Sequence, residues 1–129
     1  MAATRELYRT LQKAVTKLDE AQKFPDTEPM RESTIQRFEY TFELSWKVMS
    51  SILKDQGNEV FGVKNIIRDA ARLGLIDNPG RWIAFANARN LASHIYKEAI
   101  AKQVYEVARG DFLECVQKLI AVSAGYIEG

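Results

Sequence analysis

The sequence predicts an all-α protein, an antiparallel bundle of five to six helices in one domain covering residues 1–129. Three observations predict it. Apolar residues recur at intervals of three and four over most of the chain, the period of one helix face. Proline, glycine and asparagine fall at the breaks between these stretches, where they end or start helices. No pair of segments shows the alternation that strands require.

Each element follows from its own residues. Leu7, Leu11, Ala14, Leu18 and Ala21 make the apolar stripe of a first helix. Pro25 and Pro29 punctuate a short connection, and Thr27 is placed to cap the second helix. Ile35, Phe38, Phe42, Ser45, Met49 and Ile52 carry that helix to about Gln56, where Gly57-Asn58 stops it. A third helix spans Val63 to Leu73, with Ile66, Ile67 and Ala70 inward and Gly74 as a left-handed cap. Asn78-Pro79 is a cap followed by a first-turn proline, and it opens a fourth helix through Trp82, Phe85 and Ala86. A fifth covers Ile100 to Arg109, and Gly110-Asp111 separates it from a last one over Phe112 to Ser123. There is no repeat, low-complexity segment or domain linker.

Composition narrows the function classes. A chain of 129 residues with 47% apolar and 27% charged side chains is ordinary for a soluble globular protein with a real core. No apolar run approaches the roughly 18 to 20 residues of a membrane span. The opening Met1-Ala2-Ala3-Thr4-Arg5-Glu6 lacks the apolar core of a signal peptide. The single cysteine, Cys115, excludes an internal disulfide and suits a reducing cytoplasm, so a cytoplasmic location is expected. Its neighbours Phe112, Val116 and Leu119 predict a buried, inert thiol. A net charge of +1 argues against broad polyanion binding. Yet Val60 to Gly110 carries eight basic and four acidic residues, a local surplus that suits either solvated helix faces or a phosphate-binding surface.

The stretch richest in chemistry is Arg89-Asn90-Leu91-Ala92-Ser93-His94-Ile95-Tyr96, which holds the only histidine. Imidazole is the side chain suited to moving a proton near neutral pH, and a guanidinium can grip a phosphate with two hydrogen bonds. Together they can support phosphoryl chemistry without a metal. On a regular helix, however, a five-residue step turns by roughly 140°, so Arg89 and His94 do not share a face. They converge if the helix ends or bends there, or if two subunits offer their copies to one cleft. Tyr96, seven residues after Arg89, falls on nearly the Arg89 face of such a helix.

Other features carry less. Glu39 and Glu43 lie four apart like paired carboxylates or metal ligands, but Lys47 continues the row and can pair with Glu43, which favours a structural or solvated row. No Cys or His partners complete a metal cage, so no metal and no cofactor are expected. The glycines form no phosphate-cradling loop. The sequence around Ser93 supports no Ser-His-acid arrangement. Trp46 and Trp82 are read as core or interface residues.

Three segments in order resemble one family. Residues Arg31 to Lys47 (RESTIQRFEYTFELSWK) look like the signature helix of the bacterial nucleotidyltransferase substrate-binding proteins. Residues Ile66 to Ile76 (IIRDAARLGLI) are similar to its next helix, and Arg89 to Tyr96 to its R-N-x-x-S-H-x-Y motif. The likeness runs over about residues 5 to 120, and three ordered motifs are far more specific than one. The main departure is the loop with Pro25 and Pro29, away from the motif. The family belongs to the HEPN superfamily, the higher eukaryote and prokaryote nucleotide-binding domains.

The resemblance implies a small helical bundle, of the four-helix kind, that forms a homodimer and pairs with a separate minimal nucleotidyltransferase. Related pairs work as toxin and antitoxin, in which the helical subunit is a metal-independent ribonuclease silenced by AMP on the motif tyrosine. Carried over by motif position, Arg89 stabilises the phosphate, His94 is the acid/base, Asn90 supports the cleft and Tyr96 receives AMP. Three readings stand at this point: a ribonuclease, a non-catalytic subunit that binds the nucleotide or other substrate of a two-component nucleotidyltransferase, and a structural interaction protein.

Overall fold

Helix α1 (Ala2–Ala21) turns back through a short connection onto α2 (Glu28–Asp55), the longest element, and the two pack along each other as a hairpin. The computed structural model describes residues 2–128. Thr27 caps α2 as its sequence predicts, with its Oγ1 accepting a hydrogen bond from the Met30 amide at 3.4 Å. That contact satisfies one of the amides a helix start leaves unpaired. At the far end of the hairpin the Thr4 hydroxyl donates to Asp55 Oδ2 at 2.7 Å and meets Ser51, tying the start of α1 to the last turns of α2.

The rest of the chain wraps this hairpin. Helix α3 (Val63–Leu73) packs on α2 and ends at Gly74, whose φ of 88° is the left-handed cap its sequence predicts. Helix α4 (Pro79–Leu91) starts behind Asn78, whose Oδ1 accepts from the Arg81 amide, and packs against α3. Helix α5 (Glu98–Arg109) crosses α2 and α4, and α6 (Phe112–Glu128) returns along α1. Six helices and no described strand make the all-α bundle the periodicity predicts.

The core is continuous. Phe38, Phe42, Trp82, Phe85 and Phe112 are buried and bring α2, α4 and α6 together. Phe112 is the hub: it meets Phe38 edge-on at 4.8 Å between ring centres and Phe85 edge-on at 4.9 Å. Edge-to-face rings gain from their opposed quadrupoles beyond the area they bury. Every inward position predicted for α2 is buried. On α1 the stripe is shifted, because Tyr8 and Val15 join the core and Leu7 is only half-buried. Among the described residues, no helix is long and apolar enough to cross a membrane.

Two sequence expectations change here. Helix α4 stops at Leu91, and Ala92–His94 tightens into a 3₁₀ turn, so Tyr96 lies past the helix end and shares no helical face with Arg89. Cys115 is half-buried rather than enclosed; burial pushes its thiol above the usual range, and the nearby Asp111 carboxylate adds to this.

Candidate functional site

The motif straddles the end of α4, and that break sends its residues to two places. Arg89 is still helical and points at α2, whereas His94 closes the 3₁₀ turn and Tyr96 follows it. Ser93 stabilises the break by donating its hydroxyl to the Asn90 carbonyl at 3.0 Å, one of the acceptors a helix end leaves open.

Arg89 is held between two carboxylates of α2. Its Nη1 lies 3.4 Å from Glu39 Oε2, and its Nε lies 3.3 Å from Glu43 Oε1. The Nε is buried but too misaligned with Glu43 to count as a hydrogen bond, so the attraction is chiefly charge on charge. Trp46 Nε1 donates to the other Glu43 oxygen at 3.2 Å and orients that carboxylate. The Glu43–Lys47 pair that the row allows does not form, and the structural reading of the row is the one that holds. Lys47 instead sits 5.9 Å from the centre of the Trp46 ring, and Glu43 faces inward to the arginine because i and i+4 on α2 both look at α4. The arginine that completes this clamp is what the sequence did not reveal. The clamp's only sequence signal was an acid pair on one helix row, with the arginine lying far downstream.

Beyond the clamp, Arg89 and Asn90 line a cavity of about 350 Å³ with Glu43, Gly62, Lys64 and Asn65. On its other side Arg89 meets a shallower depression of about 220 Å³ bordered by Gln36 and the exposed Tyr40. The guanidinium therefore sits at the junction of two open surfaces.

His94 and Tyr96 form the second group. Both are exposed, Tyr96 to 75%, and the Tyr96 hydroxyl lies 3.3 Å from His94 Nδ1 with the rings tilted edge to face. Either atom can carry the proton, since the imidazole has two tautomers. Among the described residues, no hydrogen bond or ion pair joins Arg89 to His94. Arg89 and Asn90 line one cavity, whereas His94 and Tyr96 contact each other.

Another cavity, of about 580 Å³, lies at the opposite end of α4 and is lined by no motif residue. It is lined by Trp82, Cys115 and Leu119, and its rim holds Asp111. Asp111 is paired with Arg81, whose Nε donates to Asp111 Oδ2 at 3.0 Å and keeps that carboxyl below the usual aspartate range. Among the described residues no three His, Cys, Asp or Glu side chains are grouped to hold a metal ion.

Comparison with known proteins agrees with this architecture. Residues 6–123 match the family model described as nucleotidyltransferase substrate binding protein like. A Haemophilus influenzae protein named probable ribonuclease HepT is 38% identical over 76 residues, which is 55% of this chain. That match spans only 52%, about half, of the relative's length. A crystal structure of a Thermus thermophilus protein superposes with a TM-score of 0.79 at 29% identity, covering 86% of this chain and 96% of that one. A second structure, from Haemophilus influenzae and described as revealing the fold of a substrate binding domain of a nucleotidyltransferase, superposes with a TM-score of 0.68 at 27% identity over 95% of this chain and 98% of that one. With the family model covering nearly the whole bundle, motif included, the chain belongs to the nucleotidyltransferase substrate-binding-protein-like family.

Proposed function

We propose that this chain is the helical subunit of a two-component nucleotidyltransferase pair, and that it is itself a metal-independent ribonuclease silenced by AMP addition to Tyr96. The observation that carries the reading is the exposed His94–Tyr96 contact at 3.3 Å, on the turn that follows Arg89 and Asn90. An accessible imidazole whose neighbour is an accessible phenol has both its acid/base and its off-switch in one place. The relative named as a probable ribonuclease supports the same reading.

In the proposed reaction His94 accepts the proton of an RNA 2′-hydroxyl. The freed oxygen attacks the adjacent phosphorus, and the bond to the 5′-oxygen breaks. A protonated imidazole returns a proton to that oxygen, leaving a cyclic phosphate and a 5′-hydroxyl. Arg89 neutralises charge building on the phosphoryl oxygens, and Asn90 lines the cleft beside it. The reading places two copies in a homodimer, each offering its motif to a shared cleft, since within one chain Arg89 meets Glu39 and Glu43 while His94 meets Tyr96. Silencing requires the Tyr96 oxygen to attack the α-phosphorus of ATP with release of pyrophosphate. The product puts an anionic phosphate and a nucleoside over His94.

A second reading is favoured by the Arg89 clamp: an arginine already neutralised by Glu39 and Glu43 suits a subunit that binds a nucleotidyltransferase's substrate without cleaving RNA. One experiment separates the two. Purified chain is incubated with total RNA in EDTA, as wild type and as His94→Ala. Cleavage to cyclic-phosphate ends that the variant loses by about 10²- to 10⁴-fold supports the ribonuclease. Absent cleavage, with tight binding to the nucleotidyltransferase, supports the substrate-binding subunit.

A further inference from the structure

Phe61 is the most exposed large apolar side chain of the described residues, at 77%, and it stands at the head of a line of cations. Gly62 turns the chain there with a φ of 90°, and Asn65 Nδ2 donates to the Phe61 carbonyl at 3.1 Å, so the ring is held out on a fixed backbone. Lys64, Arg68 and Arg72 follow at four-residue steps on α3 and are all exposed, forming a single row about 6 Å apart along the helix axis. That step is comparable to the spacing of phosphates in an extended single strand. Two acids share the row's surroundings: Asp69 pairs with Arg72 at 2.6 Å, and Glu59 flanks Phe61. Lys64 and Arg68 form no ion pair among the described residues, and Arg68 contacts only the neutral Asn65 amide, at 3.4 Å.

The row is continuous with the motif. Asn65 lines both the depression of about 450 Å³ that holds Phe61, Arg68 and Arg72 and the cavity that holds Arg89 and Asn90. We propose that Phe61 and the Lys64–Arg68–Arg72 row form a single-strand RNA track, with one base stacked on Phe61 and the backbone led past Asn65 to Arg89. Stacking on an exposed ring beside a basic groove is the general means of holding single strands without reading their sequence. The track rests on the ribonuclease reading for its purpose, but its binding is measurable without cleavage.

The test uses the whole chain and a fluorescein-labelled 2′-O-methyl oligouridylate dodecamer, which has no 2′-hydroxyl to react, followed by anisotropy. Phe61→Ala weakens binding by roughly 5- to 150-fold, the loss of one stacked base, while Phe61→Tyr keeps it. Arg68→Gln lowers the slope of log affinity against log salt by about 0.7. If wild type cleaves no RNA but Phe61→Ala still loses dodecamer affinity, the ribonuclease reading falls and the track stands. Unchanged affinity and salt slope in both variants overturn the track. So does a wild type that fails to bind the dodecamer, or a Phe61→Ala that loses only its grip on the nucleotidyltransferase.

Discussion

Arg89 on α4 and Glu43 on α2 face each other across the bundle, with Nε 3.3 Å from Oε1 and Glu39 closing the other side at 3.4 Å. An arginine in this position is part of the bundle's cohesion and also the guanidinium proposed to meet a phosphate. The two roles compete for the same charge. All three side chains are roughly a third exposed, so the pairing is screened and worth at most about 1 kcal/mol.

On the proposed ribonuclease reading, Glu43→Gln therefore tightens RNA binding instead of weakening it. With one carboxylate gone, Arg89 offers more of its charge to a phosphate, and the dissociation constant falls by about 2- to 5-fold. Anisotropy titrations of wild type and variant measure this. An equal or weaker affinity in Glu43→Gln would mean that the glutamate positions Arg89 more than it masks it.

If the chain is the proposed ribonuclease, Tyr96→Phe leaves its turnover close to wild type but abolishes modification. The phenol neighbours His94 Nδ1 and is exposed, so its loss disturbs no packing. Incubation with the nucleotidyltransferase and ATP, followed by peptide mass mapping, reads the outcome. An AMP mass shift that persists in Tyr96→Phe would place the modification elsewhere.

The Arg81–Asp111 pair makes a small, acid-sensitive contribution to stability. Hydrogen bonding to Arg81 lowers the folded-state pKa of Asp111. The stabilisation is thus fully present above the unfolded aspartate value of about 3.9 and is lost as pH falls through the lower folded value. Both side chains are 45% exposed, so the effect at neutral pH is at most about 1 kcal/mol. Thermal melts of wild type and Asp111→Asn should differ at pH 7 and converge in strong acid. A gap that persists in acid would assign the loss to packing or capping.

Phe112→Ala costs about 3–5 kcal/mol in urea unfolding. The ring is fully buried and bridges Phe38 on α2 and Phe85 on α4, so its removal opens a cavity where three helices meet. A loss below about 1 kcal/mol would show that the site collapses freely around the gap.

Gly74→Ala tests the cap between α3 and α4. A methyl there meets nothing within 4 Å, so the cost is backbone strain at φ 88° alone, about 1–2 kcal/mol. Urea midpoints of the two proteins measure it.

The sequence by itself determined the helices and most of their ends. Thr27, Asn78 and Gly74 act through hydrogen bonds and backbone angles within a few residues of themselves, so their roles are readable locally. The inward row from Ile35 to Ile52 is equally local, since a helix's period decides which residues share a face. The R-N-x-x-S-H-x-Y motif was also legible, as a pattern of residue types. What only the tertiary structure decided is what each motif residue touches. The early end of α4 turned Tyr96 away from the Arg89 face and onto His94, although periodicity alone would have continued the helix. Packing of α4 near α2 gave Arg89 two carboxylates from a distant stretch of chain, and folding laid Lys64 and Asn65, at the start of α3, beside Arg89 and Asn90. Such contacts depend on how helices cross, and a crossing is set by the sum of side chains at the interface rather than by any local signal.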